Sequence, residues 1–211
     1  MLVQLPGGHY NGSYVREALG LEQDFSDADL ADLAGAPHNA RVLVSRVDGQ
    51  AHAVRLSVES PYTVQHEVTL LHFPDGTLTV FKDFFKKYDN VPRGYGAFST
   101  AIQVKAAARL RFKEITGYAI GSKFMQDFNG HYTWSRLGFN GELGQLKRES
   151  LPVSLQHSES LLDLMKTQEG RDWWYDHGDS HFINFDLKEG SRNHKVLRSY
   201  LQENNYIIPR S

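Results

Sequence analysis

The spacing of apolar residues changes at Pro92, and that change limits the folds open to this chain. Before Pro92, apolar side chains recur at about every second position in four segments, residues 40–47, 51–60, 63–73 and 77–85. Such alternation is typical of strands with one buried face, and strands joined by tight turns pair antiparallel. Asp48-Gly49 and Pro74-Asp75-Gly76 supply turns of that kind. The sequence therefore predicts a four-stranded antiparallel meander.

Beyond Pro92 the apolar repeat lengthens to that of a helix. Phe98, Ile102, Ala106 and Leu110 follow one another at four-residue steps and predict a helix over residues 97–112. The apolar run 115–120 then predicts a buried strand. A strand, a helix and a second strand in succession form a crossover unit, which prefers a right-handed parallel arrangement. We therefore expect an α/β fold with a mixed sheet, in which an antiparallel meander leads into a parallel β-α-β crossover.

The segments on either side of this core are predominantly helical in pattern. Short helices are predicted over residues 13–19 and after Ser26, whose side chain suits an N-cap. Downstream, the pattern predicts a helix over residues 151–166 capped by Ser158, a strand over 182–187 and a helix over 191–204. Because no Pro/Gly-rich linker intervenes, we expect one domain over residues 1–211, with its core at about 40–139 and a C-terminal elaboration at about 140–211.

Composition excludes several classes of function. The chain has no cysteine, so thiolate metal sites, disulfides and a cysteine nucleophile are ruled out. Its formal net charge of -2 gives no global attraction to nucleic acid, although a local basic surface stays open. No apolar stretch approaches the roughly 20 residues of a membrane span, and the N-terminal residues do not resemble a secretory signal. We expect a cytoplasmic protein with no membrane partner, and the sequence assigns no oligomeric state.

A glycine-rich stretch directly precedes the predicted central helix. Its residues are Arg93-Gly94-Tyr95-Gly96. The first N–H groups of a helix have no intrahelical acceptor, and the helix dipole adds partial positive charge at the same end. This combination favours an anionic group such as a phosphate.

The glycine stretch and the downstream Leu137-Gly138-Phe139 together resemble the GNAT superfamily of N-acetyltransferases, in a divergent branch. Members typically have an antiparallel meander, a Gly-rich pyrophosphate loop that opens a long helix, a parallel strand, and a short helix ending in a Gly-Phe motif. All four parts are expected here in that order over about residues 40–139. Residues 129–139, which end in this motif, look like a variant found in the divergent branch.

This resemblance implies that acetyl-coenzyme A is the acyl donor and that an amine is the acceptor. The pyrophosphate would bind the backbone around the glycines, with the strand end and the Gly-Phe motif adding contacts. The coenzyme-binding residues implied are Arg93, Gly94, Tyr95, Gly96, Ala97, Phe84 and Trp134. The family usually has Gln or Arg three residues before the first glycine, whereas this chain has Val91.

The resemblance also implies catalytic positions. A tyrosine four residues before the motif glycine protonates the departing thiolate in many members, but Trp134 occupies that position here. Tyr132 is the replacement candidate, since its phenol can donate a proton. Glu67 and Asp83, at the ends of meander strands, are candidates to accept the proton of the amine. Weaker candidates for that base are His66, His72 and Asp127.

Two alternatives to catalysis stay open at this point. Trp134 and Val91 favour a non-catalytic GNAT-like protein that binds the coenzyme or a partner. A nucleic-acid-directed modifier would instead need a basic groove, for which the last helix offers Arg192, His194, Lys195 and Arg198. We interpret that group as a solvated helix face, and we interpret Lys82, Lys86 and Lys87 in the same way.

Other polar and aromatic clusters are interpreted as structural. The segment His177-Gly178-Asp179-Ser180-His181 lacks the helical spacing of metal-binding motifs, and it has no nucleophile elbow. It is expected to be a polar loop. Trp173, Trp174 and Tyr175 are expected to anchor the C-terminal elaboration in the core.

Overall fold

The computed structural model describes residues 2–5, 8–9, 13–125 and 127–206. These residues form two compact units. The first comprises the described residues up to Ile115 together with Tyr206, and the second comprises the described residues of Thr116–Asn205.

The first unit contains a mixed sheet and three helices. In chain order its elements are β1 (Leu2–Leu5), β2 (Gly8–His9), α1 (Ser13–Leu19), α2 (Asp27–Leu33), β3 (Arg41–Arg46), β4 (Ala53–Glu59), β5 (Thr63–His72), β6 (Leu78–Lys87) and α3 (Tyr95–Arg109). Strand β1 pairs parallel with β3, and the pairs β1–β2, β3–β4, β4–β5 and β5–β6 are antiparallel. The predicted meander of four strands is confirmed as β3–β6, and so is the α/β class with a mixed sheet.

Local signals explain where the helices of this unit begin and end. Ser26 accepts a hydrogen bond from the N–H of Asp29, and the Asp29 carboxylate accepts one from the N–H of Ser26, which forms a capping box at α2. At its far end, Gly35 packs directly on α3: a Cβ there would lie 2.6 Å from Oγ of Ser99. Ser99 also donates a hydrogen bond to the Gly35 carbonyl over 2.7 Å. Helix α2 is thereby fixed against α3.

The two faces of the β3–β6 sheet differ in character. One face is apolar and buried, with Val42, Val44, Leu56, Leu70 and Val80 among its core residues. The same face carries Lys82, which bonds to α3, and His72, which bonds to the last carbonyl of α1. The opposite face is only partly buried and carries polar side chains. We call this second face the open face.

Strand β7 (Glu114–Ala119) begins in the first unit, and its residues from Thr116 onward belong to the second. The other elements of the second unit are α4 (Gly130–Arg136), α5 (Gln145–Glu149), a 3-10 turn (Val153–Leu155), α6 (Leu161–Leu164), α7 (Gln168–His177), β8 (His181–Asp186) and α8 (Arg192–Glu203). Strands β7 and β8 are neighbours in the sheet. The predicted strand at 182–187 and helix at 191–204 are confirmed within one residue at each end.

The predicted helix over residues 151–166 is wrong. Only a 3-10 turn and the four-residue α6 form there, and Ser160 rather than Ser158 is the N-cap. The Ser160 backbone N–H and hydroxyl both donate to the Asp163 carboxylate, over 3.1 and 2.9 Å. This capping box starts a separate short helix at Leu161, so the apolar spacing over residues 151–166 does not belong to one continuous helix.

The apolar residues of this region still reach the core, although turns carry them there. They form a cluster with two tryptophans: Leu143, Leu151, Leu155, Leu161, Leu164, Met165, Trp173 and Trp174. The prediction that Trp173 and Trp174 anchor the C-terminal segment in a core is confirmed, but Tyr175 is exposed. Helix α7 was not predicted; its N-cap, Thr167, accepts a hydrogen bond from the N–H of Gly170.

Candidate active site

The N-terminus of α3 has the features expected of an anion-binding helix end. Its N-cap, Gly94, has a φ of 86°, in the left-handed region that favours glycine. No side chain caps this end among the described residues, and the first turn contains no acidic residue. Because the N–H groups of Gly96 and Ala97 belong to that first turn, they have no intrahelical acceptor.

The two glycines of this stretch have different packing. A Cβ at Gly94 would lie 2.6 Å from Cε1 of Tyr206, so the aromatic ring rests directly on the glycine. A Cβ at Gly96 would meet only the ring of Phe85 at an ordinary distance of 3.7 Å. Phe85 in turn stacks on Tyr95, with ring centroids 6.2 Å apart. The end of β6 is therefore packed against the first turn of α3.

Asp83 is the extra residue of a β-bulge in β6. Glu67 pairs with Phe84, whereas the next residue of β5, Val68, pairs with Lys82, so Asp83 has no partner on β5. Bulges redirect side chains and are frequent beside active sites. Sequence alternation alone gave no sign of this irregularity.

The bulge brings Asp83 into a polar cluster on the open face, formed by Arg55, Glu67, Thr69 and Asp83. Thr69 donates a hydrogen bond to the Asp83 carboxylate over 2.7 Å. Arg55 is the cross-strand partner of Thr69, and its buried Nε has no hydrogen-bond partner in the part of the chain that the structure describes. Two of the residues predicted to act as base, Glu67 and Asp83, therefore lie in one cluster.

The electrostatics of this cluster favour proton uptake by Asp83. Partial burial raises the pKa of Asp83, and the neighbouring Glu67 carboxylate adds to the rise. The Thr69 hydrogen bond and the Arg55 charge act in the opposite direction but do not cancel it. A carboxyl with a raised pKa is better matched to accept a proton near neutral pH than an ordinary surface aspartate.

Lys82 points the other way, into the interior, so its interpretation as a solvated lysine is wrong. It is 6% exposed, and its Nζ donates to Oε1 of Gln103 over 2.6 Å. Gln103 Nε2 donates in turn to the carbonyl of Leu33 over 2.7 Å. Burial lowers the pKa of Lys82 from 10.5 to about 7. Lys82 follows the buried Val80 by two residues and so continues the alternation onto the same face, but its charge favoured a solvated position.

The two histidine candidates for the base, His66 and His72, lie outside the polar cluster that contains Asp83. His66 is buried, and neither ring nitrogen has a hydrogen-bond partner among the described residues. Burial, and to a smaller extent the Lys82 charge, lowers the pKa of His66 to about 3. His72 uses Nδ1 to donate to the carbonyl of Leu19 over 2.8 Å. Asp127, the remaining candidate, is an exposed residue of the second unit.

Tyr132 and Trp134 lie on α4 of the second unit, where both take part in packing. Tyr132 packs beside the apolar cluster of that unit and meets Tyr175 edge to face, with centroids 5.2 Å apart. Trp134 meets Phe139 in the same manner at 5.4 Å. The aromatic residue at the usual acid position thus stabilises the Gly-Phe motif itself.

The glycine of that motif is held by a residue that sequence reasoning missed. Gly138 has a φ of 91°, and a Cβ there would lie 2.5 Å from the backbone oxygen of Asn193. The buried Asn193 side chain donates to the carbonyls of Gly138 and Asn184, over 2.9 and 3.2 Å. Helix α8 therefore fixes the motif loop against β8. The local sequence around Gly138 contains no signal for a partner so distant along the chain.

Comparison with protein-family models, with curated proteins and with solved structures found no match to this chain. Within the described ranges, no three His, Asp or Glu side chains are grouped so that they could hold a metal ion. Nor does any helix in those ranges have both the length and the apolarity that crossing a bilayer requires.

Proposed function

We propose that this protein is an acyl-coenzyme A-dependent N-acyltransferase that transfers an acetyl group from acetyl-coenzyme A to a primary amine. The observation that carries the proposal is the position of Asp83. It is a bulge residue with a raised pKa, on the strand that leads into the uncapped N-terminus of α3. One short segment thereby offers a proton acceptor and an anion-binding helix end.

The donor half of the proposed site is the start of α3. The coenzyme pyrophosphate would accept hydrogen bonds from the N–H groups of Gly96 and Ala97, which have no intrahelical acceptor. The exposed guanidinium of Arg93 would add a charge-assisted contact. Phe84, Tyr95 and Trp134 stay predicted coenzyme contacts on the resemblance alone.

The acceptor half is the polar cluster on the open face. An amine enters as its ammonium, for which the carboxylates of Glu67 and Asp83 provide complementary charge. Asp83 takes one proton, and the neutral nitrogen then attacks the thioester carbonyl carbon. The C–N bond forms as the carbonyl electrons move to oxygen, where a backbone N–H at the end of β6 would stabilise the oxyanion. As the intermediate collapses, the C–S bond breaks, the nitrogen loses its second proton to solvent, and the thiolate takes a proton, for which Tyr132 stays the predicted donor on the resemblance alone.

Release of free coenzyme thiol tests this proposal. Purified protein is mixed with acetyl-coenzyme A and a panel of primary amines, and thiol is measured with a chromogenic disulfide. We expect amine-dependent release that falls about 100-fold in Asp83→Asn, since general-base catalysis is typically worth that much or more. The wild-type rate should also fall as pH drops through the raised pKa of Asp83.

Asp48→Asn is the matched control. Asp48 is an exposed residue of the Asp-Gly turn, and Asn-Gly suits the same turn. The control should keep the wild-type rate. Equal rates in Asp83→Asn and wild type would remove Asp83 from the mechanism, and absence of thiol release across the panel would overturn the enzymatic proposal.

Coenzyme binding is tested separately by calorimetry. Arg93→Ala should weaken binding of coenzyme A by about tenfold, the loss of one charge-assisted contact. Lys113→Ala, an exposed cation beyond the other end of α3, should leave the affinity unchanged. Equal affinities in the two variants would place the coenzyme elsewhere.

The second candidate function is a non-catalytic coenzyme-binding protein. Trp134 favours it, because an indole cannot serve as an acid at neutral pH and this ring packs on Phe139. Calorimetric binding that depends on Arg93, without thiol release from any amine, is the result that would distinguish this function from the enzyme.

A further inference from the structure

The second unit contains a basic pocket, and none of its lining residues belongs to the proposed transfer site. The pocket has a volume of about 320 Å³ and is lined by the end of α4, by α8 and by residues from Leu162 to Arg171. Its lining contains five cationic side chains and one carboxylate, Glu203. The cations are Arg136, Lys166, Arg171, Arg192 and Lys195. We call this feature the basic pocket.

This concentration of charge does not follow from composition. The stretch Thr116–Asn205 contains ten Lys and Arg and twelve Asp and Glu, so the second unit is slightly acidic as a whole. Half of those cations nevertheless line one cavity. Gathering like charges costs free energy unless a ligand or counter-ion offsets the repulsion.

Hydrogen bonds to uncharged acceptors hold part of the wall of the basic pocket in place, and they do not neutralise its positive charge. The Arg171 guanidinium donates to the carbonyl of Met165 over 3.0 Å and to Oε1 of Gln168 over 2.8 Å, and neither acceptor is charged. Its Nε is buried, and within the described ranges it has no hydrogen-bond partner. Arg136 is 18% exposed, lies 3.4 Å from Glu203 and is positioned over the Tyr200 ring.

A single carboxylate serves two of the other cations. Oδ1 of Asp163 lies 2.9 Å from Nζ of Lys166 and 2.6 Å from the Arg192 guanidinium. Lys195 lies one turn beyond Arg192 on α8 and forms no ion pair within the described residues. The pocket therefore keeps net positive charge after its internal ion pairs are counted.

The remaining lining, apart from Ser199, is apolar and aromatic. Leu162, Met165, Val196 and the ring of Tyr200 contribute to it. A cavity of this size accommodates a small molecule, and apolar walls with a few fixed charges are typical of small-molecule sites. An anionic group would meet the cations while an attached ring or chain covers the apolar wall.

We infer that the basic pocket binds a small organic phosphate, with the phosphate held by Lys195, Arg192 and Arg171 and the organic group against Tyr200. Arginine suits this role because its planar guanidinium matches phosphate oxygens in pairs. The site is independent of the proposed transfer reaction. Of the predicted group of cations on the last helix, Arg192 and Lys195 line the pocket, whereas Arg198 does not.

Calorimetric titration at low salt with pyrophosphate, ADP and adenosine tests the inference. We expect pyrophosphate and ADP to bind, ADP more tightly, and adenosine to bind at least tenfold more weakly than ADP because it lacks the charge. Lys195→Ala and Arg192→Ala should each reduce ADP affinity about tenfold. Circular dichroism verifies that the variants are folded.

The chain offers a matched control for each substitution. Lys188→Ala removes an exposed lysine before α8, and Arg198→Ala removes an exposed arginine on α8, and neither residue lines the pocket. Both should bind ADP as the wild type does. Equal affinities in Lys195→Ala and Lys188→Ala would overturn the inference.

Two further outcomes would also overturn it. Loss of ADP binding in Arg93→Ala, with binding kept in Lys195→Ala, would assign the phosphate to the start of α3 instead. Tight binding of a single-stranded RNA that weakens equally in Arg198→Ala and Lys195→Ala, with no ADP binding, would make the surface a nucleic-acid interface. The first result would support the proposed coenzyme site, so the two proposals fail separately.

Discussion

Lys82 is the residue whose surroundings differ most from what its type prefers. It is enclosed between the sheet and α3, with its Nζ on the amide oxygen of Gln103 and 5.9 Å from the centre of the Phe85 ring. Burying an ammonium group is costly, so the neutral form is favoured and the pKa of Lys82 falls to about 7.

The lowered pKa predicts how stability depends on pH. Because the folded pKa is about 7 and the unfolded value is 10.5, the unfolded chain binds more protons between those limits. The free energy of unfolding should therefore rise with pH across that window, by up to about 1.4 kcal/mol per unit. Below about pH 7 the full cost of charging Lys82 is present. Urea unfolding from pH 7 to 9.5 measures the slope.

Lys82→Met should flatten that slope, whatever its effect on stability at one pH. Lys113→Met, which replaces an exposed lysine of the same unit, should keep the wild-type slope. Identical pH slopes in wild type and Lys82→Met would show that Lys82 titrates as an ordinary solvated lysine.

At the scale of elements, we expect alanine substitutions of the two glycines at the start of α3 to change the free energy of unfolding in opposite directions. Gly94→Ala forces a side chain into the left-handed region and against the Tyr206 ring, and we expect a loss of about 2 kcal/mol in the free energy of unfolding. Gly96→Ala places a methyl group at an ordinary distance from Phe85, so better helix propensity should add about 0.5 kcal/mol. Thermal unfolding of both variants tests the difference. A destabilised Gly96→Ala would contradict it.

Most elements of this chain could be predicted because their signals are local. The two-residue period marked β3–β6, and Ser26 with Asp29 marked the start of α2. Prediction failed where a local irregularity or a distant contact decides the outcome. The bulge at Asp83 shifted the register of β6 against β5, and the Ser160–Asp163 capping box divided one predicted helix.

The candidate site was predictable only in part for the same reason. The glycine stretch before α3 and the base candidates Glu67 and Asp83 follow from spacing along the chain. The proximity of Asp83 to Thr69 and Arg55 does not, because it depends on strand register. The cations of the basic pocket come from α4, α7, α8 and Lys166, two residues beyond α6, and no local motif predicts such a set.

At the scale of the whole molecule, the two units share one strand. Strand β7 begins at Glu114 in the first unit and continues to Ala119 in the second. Unfolding either unit would therefore remove part of a strand that the other needs. We expect one cooperative transition, in keeping with the prediction of a single domain.

The distribution of tryptophan makes that expectation testable. All three tryptophans, Trp134, Trp173 and Trp174, belong to the second unit, so their fluorescence reports on that unit alone. Far-ultraviolet circular dichroism reports on both. The two signals should give coincident urea transitions, and a tryptophan transition with a separate midpoint would mean that the units unfold independently.

The Asn193 bond to Gly138 has a consequence for how the chain is made. The two residues are 55 positions apart along the chain. During synthesis, the Gly138 carbonyl cannot accept this hydrogen bond until α8 has left the ribosome. A nascent chain stalled before residue 193 should therefore leave the Gly-Phe loop open to proteases, and release of the full chain should close it.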